Sequence, residues 1–205
     1  MRWAELAFVA GLCGSTASAA FDQRADQAIT RSRTTTATYA LYAWNRVTPP
    51  DENPREEWAA EFHKGNLHRV ETPQTRLVAD CAAVMGTYLE VETGETGTNA
   101  QVARVACGIS AARPIRSAEW ITRVNSRFGP IDRIRVTDDK VIRTYDVADN
   151  GALVSGTISD LDGTLRLDNF ALDLLSTLPS EDIFSKESLQ RSVVPDQYKQ
   201  RPARR

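Results

Sequence analysis

The stretch GNLHRVETPQTRLVADC, residues 65–81, holds two extended runs separated by a proline and closed by a cysteine. Residues 67–72 run in. Pro73, which has no N–H to give to a strand ladder, breaks the first run and belongs at a strand end or turn. Residues 74–76 turn the chain into the second run, RLVADC. After Gly86 comes TYLEVET, then a turn, GETGTN, and then AQVARVACGI, which reads as its strand partner. A meander of short strands is therefore expected, with Cys81 and Cys107 brought together at one edge.

Upstream, residues 34–47 (TTTATYALYAWNRV) are dense in β-branched and aromatic side chains, as in a long strand. Ala40, Tyr42 and Trp44 share one parity and Tyr39, Leu41 and Ala43 the other. Both faces are thus apolar, unusual for a strand with one wet side. The loop TPPDENPRE, with three prolines, follows. Residues 57–64 are ambiguous, because Trp58 and Phe62 share a face on a helix and also on a strand. A strand bent at Gly65 is the preferred reading. Before all of this, residues 22–33 form a polar helix with Ala25, Ala28 and Ile29 at helical spacing, suited to docking on a sheet.

Downstream, residues 131–172 show short alternating runs separated by DDK, DNG and DLDG, consecutive hairpin signals. AEWITRV, residues 118–124, is another extended run. Ser185 and Ser188 with nearby acids suggest a short helix ended by Pro195. The whole reads as mainly β (α+β), one antiparallel sheet with a helix near each end.

The N-terminus sets the compartment. An apolar run from Leu6 to Leu12 and small residues ending in Ala17-Ser18-Ala19 have the order of a cleaved secretory leader, residues 1–20. The expected arrangement is then one β domain over residues 21–198 and a basic disordered tail over 199–205. Location would be periplasmic or secreted, with no transmembrane segment, since no run approaches the length of about 20 apolar residues. Cleavage removes Cys13 and leaves Cys81 and Cys107 as an even pair in an oxidising compartment, where a disulfide is the expected state. The 25 basic and 27 acidic side chains give a net charge of -2, and the leader takes one of each. That balance offers no broad basic face for nucleic acid.

The order of leader, polar helix, aromatic strand and then KGNLHRVETPQTRLVADCAAVMGTYLEV resembles the superfamily of outer-membrane lipoprotein carriers, LolA-like proteins. Leu67, Arg69, Val70, Glu71 and Pro73 match one strand of that pattern, and Leu77, Val78, Asp80, Tyr88 and Val91 approximate the next. Pro179 and Phe184 match its closing segment. Cys81 stands where the family has Gly, and a Pro-rich insertion separates the first strands. The resemblance implies a curved sheet or incomplete barrel whose apolar concavity takes acyl chains or an apolar peptide segment. Partners would be a lipid, a lipoprotein or a hydrophobic segment of an envelope protein.

Tyr42, Trp44, Trp58, Phe62 and Trp120 are the candidate ligand-binding residues, more aromatic surface than one wet-sided sheet needs. Filling a core is the competing account. No catalytic residue, metal ligand or cofactor is expected. G-x-S-x-G, P-loop and G-x-G-x-x-G motifs are absent. His63 and His68, five apart on a presumed continuous strand, would point to opposite faces and read as solvated surface residues. Asp160 and Asp162 belong to a hairpin turn, because the third acidic position and closing Glu of a calcium loop are missing. Glu71, with Arg69 and Arg76 nearby, reads as cross-strand ion pairing. The leading function is a non-enzymatic apolar-ligand binder. An envelope sensor or interaction module, and a small secreted hydrolase or lyase using His63 or His68, are the alternatives.

Overall fold

The computed structural model describes residues 22–50 and 52–202, so the leader reading and the last three residues of the basic tail lie outside the described residues. The chain first adopts α1 (Gln23–Thr34), then six strands: β1 (Tyr39–Val47), β2 (Arg55–Lys64), β3 (Leu67–Glu71), β4 (Thr75–Asp80), β5 (Met85–Glu90) and β6 (Thr96–Asn99). A second helix, α2 (Ala100–Ala106), leads across to β7 (Ser117–Ser126), β8 (Gly129–Thr137), β9 (Val141–Ala148), β10 (Leu153–Asp160) and β11 (Leu165–Leu175). All eleven strands join one open sheet in the order β6-β5-β4-β3-β2-β1-β11-β10-β9-β8-β7. Every pairing is antiparallel.

Residues 57–64 are a strand, resolving the ambiguity of Trp58 and Phe62. The Gly65-Asn66 pair is a two-residue hairpin turn, with Lys64 opposite Leu67 and Gly65 at φ 61°. Positive φ suits glycine because it has no Cβ to clash. Pro73 sits in the turn between β3 and β4, and the DDK, DNG and DLDG segments connect β8 to β11 in succession. At the first of these, Asp138 Oδ1 accepts from the backbone N–H groups of Lys140 and Val141.

The two faces of the sheet are covered differently. On the inner face, α1 begins at Asp22, whose carboxylate accepts from the N–H groups of Arg24 and Ala25, a helix cap. Its Ala25, Ala28 and Ile29 pack on Ala118, Ile134, Val136 and Val147 of β7, β8 and β9. This is the docking role its spacing predicts. α2 lies on the same face toward the other edge, with Ala103 and Ala106 packed on Ala79. A Cβ on Gly86 would collide with Val102, so that glycine lets the helix approach the sheet.

Residues 100–106 are therefore helical, not the strand expected for them. Asn99 Oδ1 accepts from the N–H of Val102, and Ala100, Ala103 and Ala106 recur at helical spacing. The Cys81–Cys107 disulfide ties the end of α2 to the end of β4, with 5.7 Å between Cα atoms. β1 likewise starts later than residue 34, because Thr34 ends α1.

The outer face is covered by residues 178–198, a strap of three short 3-10 turns where a short helix was expected. Ile183 and Val194 pack on Ala40, Tyr42, Ala60 and Phe62. Tyr198 stacks on Tyr42 at 3.8 Å with nearly parallel rings, and its hydroxyl donates to Asp173. β1 is apolar on both parities because both of its faces are buried. Beyond the strap, Lys199 pairs with Asp196 and Arg201 with Glu56.

Candidate functional site

A cleft of about 300 Å³ opens on the inner face between α2 and the far half of the sheet. It is lined from β1 and β2 (Ala43, Ala59), from β3 and β4 (Val70, Leu77) and from β9 and β10 (Tyr145, Ile158). In a flat sheet β4 and β9 would stand six inter-strand steps apart, roughly 29 Å at about 4.8 Å per step. Side chains from both can line one cleft of this volume only because the sheet curls.

Small side chains at the centre make the room. Ala43 pairs with Ala59 and Ala171, and Gly156 pairs with Asn169, so the floor has alanine and glycine where larger residues would meet α2 and the segment that follows it. That segment closes the cleft through Gly108, whose φ is 70° and whose absent Cβ would strike the Ser32 carbonyl at the end of α1. Ser32 Oγ accepts from the Ile109 N–H, and Arg33 donates to the carbonyls of Ile109 and Ser110. The two inner-face helices are thereby joined.

The polar members of this wall are few, and one stands apart. Glu61 projects from β2 with 28% of its side chain exposed and with His68 behind it. His68 Nε2 is buried without a hydrogen-bond partner, 3.8 Å from Glu61 Oε2, too far for a hydrogen bond. His63 lies directly across the hairpin from His68, its ring centroid 5.4 Å away. His63 Nδ1 donates to the Ala37 carbonyl, and Tyr39 stacks on its ring.

The expectation of two solvated histidines on opposite faces is corrected here. Both are buried and both face the same way, because the two-residue turn folds the strand back and puts positions 63 and 68 in register. Burial, reinforced by His63, pushes His68 down to about 3. Burial lowers His63 too, against the opposing effect of the Ala37 carbonyl. Glu61 moves the other way, up to about 7, because its carboxylate form is desolvated in the apolar wall. At neutral pH the cluster holds neutral imidazoles and a carboxyl near its midpoint, groups that accept and donate hydrogen bonds.

None of the five aromatic candidates lines this cleft. Tyr42, Trp58 and Phe62 meet on the outer face beneath the strap. Trp44, on the same parity, donates through Nε1 to Glu56. Trp120 is alone on the inner face. It packs against the α1 core, with Arg24 4.6 Å above its ring and Nε1 donating to Asp132. It lines a second, polar cleft of about 450 Å³ with Arg24, Arg31, Arg123 and Asp132.

The residues taken from the strand motif have a structural role instead. Arg69 is fully buried on the outer face, where it donates to Glu71 and to Ile183, Ser188 and Arg191 of the strap. Glu71 accepts from Ser192 and from the Val193 N–H, and Arg76 donates to Leu189. Glu71 also faces Arg76 across β3 and β4, the cross-strand pairing expected. Among the described residues no group of three or more His, Cys, Asp or Glu side chains is arranged to hold a metal ion.

No protein-family model matches the sequence, and no curated protein matches it. Solved structures do share the fold. An uncharacterized conserved protein from Thermus thermophilus is 10% identical, over 83% of this chain and 93% of that one, with a TM-score of 0.53. MucB is 12% identical over 82% of this chain, with a TM-score of 0.52, and the match spans 64% of MucB's length. A LolA superfamily protein from Nitrosomonas europaea matches at 11% identity over 80% of this chain and 99% of that one, with a TM-score of 0.44. At these identities the likeness concerns the fold.

Proposed function

We propose that this protein is a periplasmic, non-enzymatic binder that buries an apolar ligand, a lipid or the acyl chain of a lipoprotein, in the inner-face cleft. The observation that carries the reading is the cleft itself. It is lined chiefly by Ala, Val, Leu and Ile side chains from both halves of the curled sheet and from α2. Its volume of about 300 Å³ lies at the small end of the range for ligand sites, and an apolar wall with a few placed polar groups is their usual make-up. The disulfide and the leader-like N-terminus support an oxidising compartment outside the cytoplasm. No described helix is long and apolar enough to cross a membrane.

The test is native mass spectrometry with lipid extraction on residues 21–205 purified from the envelope. An acyl ligand should co-purify with the wild type and be lost from Ala59→Trp, which fills the cleft. A ligand-free wild type from gentle preparations, or a ligand retained by folded Ala59→Trp, overturns the reading.

One observation favours a second reading, an interaction module. The edge strand β7 is ten residues long, and among the described residues its backbone beyond Ala118 pairs only with β8. Such an edge can accept an added strand. MucB, which shares the fold, is also known in a complex with MucA from Pseudomonas aeruginosa. A partner captured through β7 would be lost when prolines interrupt the outward-facing N–H groups of that strand, whereas cleft variants would leave it bound.

A further inference from the structure

The carboxylates buried among the described residues each have an arginine. Glu57 has Arg55, Glu71 has Arg69, Asp132 has Arg31 and Arg123, Asp138 has Arg143, and Asp146 has Arg133. The rule follows from desolvation: a carboxylate taken from water without a cation or hydrogen-bond donors is costly. Glu61, with 28% of its side chain exposed, has none. It stands in the apolar wall of the cleft, and no hydrogen bond reaches its carboxyl from the described residues.

The groups facing it supply no charge. From β3 comes His68, whose buried Nε2 is itself unpartnered, and beside it on β2 stands His63. Tyr39 of β1 and Tyr145 of β9 are the other titratable neighbours. From the floor come Asn45 and Asn169, engaged with each other, and from the α2 side Val105, Ala106, Gly108 and Ser110. Among the described residues no lysine or arginine lines the cleft.

A purely hydrocarbon ligand would strip the remaining water from Glu61 and return nothing to it. We infer that the ligand of this cleft carries a hydrogen-bond donor, a primary ammonium above all, on its apolar chain, and that Glu61, backed by His68, is the residue that receives it. The inference rests on the apolar-ligand reading proposed above and adds the polarity and charge of the head group. It also predicts discrimination against a free fatty acid, whose carboxylate would be placed against a second one.

The experiment is isothermal titration calorimetry at pH 8 with octylamine, 1-octanol and octanoate, below micelle formation, on the wild type and on Glu61→Gln. Octylamine should bind about tenfold more tightly than octanol, the scale of one hydrogen bond to an ionised group, and octanoate should be weakest. Glu61→Gln, nearly isosteric but uncharged, should lose the preference for the amine over octanol. Octanol binding without any amine preference overturns the Glu61 inference and leaves the apolar-ligand reading standing. So does octanoate binding as tight as that of octylamine, or a full amine preference in Glu61→Gln. Binding of none of the three overturns both. The head-group order on the wild type alone decides the case if the variant does not fold.

Discussion

Replacing Arg69 by methionine should release the outer-face strap and destabilise the whole protein. The arginine is fully buried, and its guanidinium donates to Glu71 at 2.7 Å, to the Ile183 carbonyl at 2.6 Å, to the Ser188 hydroxyl at 2.6 Å and carbonyl at 3.2 Å, and to the Arg191 carbonyl at 2.9 Å. Bonds to ionised groups contribute about 1.5–3 kcal/mol each, but five made by one side chain share partners and do not add. Removing one member of a buried ion pair costs about 3–5 kcal/mol, much of it from the charge left behind. Here that charge is Glu71, fully buried and retaining Ser192 and the Val193 N–H as donors, with Arg76 3.9 Å away. The expected loss is therefore about 4 kcal/mol, a large share of the roughly 5–15 kcal/mol that holds a domain folded. Urea unfolding of Arg69→Met against wild type measures it. Limited proteolysis should meanwhile show new cleavage within residues 178–198. The double variant Arg69→Met with Glu71→Leu removes the carboxylate that has lost its principal cation and should recover about half of the loss. A single-variant cost below about 1 kcal/mol, with the strap still protected, would refute the claim that this pair fastens the strap.

Cys81→Ser with Cys107→Ser should cost about 3.5 kcal/mol by the chain-entropy relation for a separation of 26 residues, read as a shift in urea midpoint. Glu61 and His68 pull the pH dependence in opposite directions. His68, held at about 3 against 6.5 unfolded, costs stability as the pH falls below 6.5, because the unfolded chain takes the proton first. Glu61, raised to about 7 from 4.5, is protonated first in the folded state, so its contribution is present below 4.5 and lost as the pH rises through 7. Glu61→Gln should thus steepen the acid loss: between pH 4.5 and 7 its stability relative to wild type should fall with decreasing pH by up to about 1.4 kcal/mol per unit, followed by urea unfolding across that range. A constant difference between the two proteins would count against a raised Glu61.

Where local chemistry decides the backbone, the fold is readable from the chain. The aspartate turns between β8 and β11, Pro73 between β3 and β4, and the Ala25, Ala28 and Ile29 stripe of α1 each specify their geometry within a few residues. Cys81 and Cys107, the even pair expected to bridge, are joined in the structure. α2 is not readable by the same route, because its buried positions, Ala103 and Ala106, are alanines, which carry almost no hydrophobic period. The signal that would have found it is Asn99 as a cap ahead of an alanine-rich run. The histidines turned on a single step: with Gly65-Asn66 taken as a hairpin turn, positions 63 and 68 fall opposite each other. The aromatic candidates could not be assigned to a face, because β1 is apolar on both and sequence parity does not say which side carries a helix and which a strap. The cleft is hardest of all to read in advance, since it is made of absent side chains, alanines and a glycine, contributed by strands far apart in the chain.

The strand order also governs the sequence in which this chain can complete its sheet. Strands β1 to β6 grow outward from one side of the central seam, the chain crosses over, and β7 to β11 grow back toward it, so β1 meets its second neighbour only in the last strand made. Each half is a run of local hairpins, whereas the seam joins the two ends of the chain and carries the greatest loop-closure cost. A polypeptide emerging N-terminus first therefore presents β1 as an open template until β11 arrives. In that interval the strand most enriched in buried aromatic surface is open to pairing with a neighbouring chain. The topology thus places the moment of greatest exposure to aggregation just before the last strand is made.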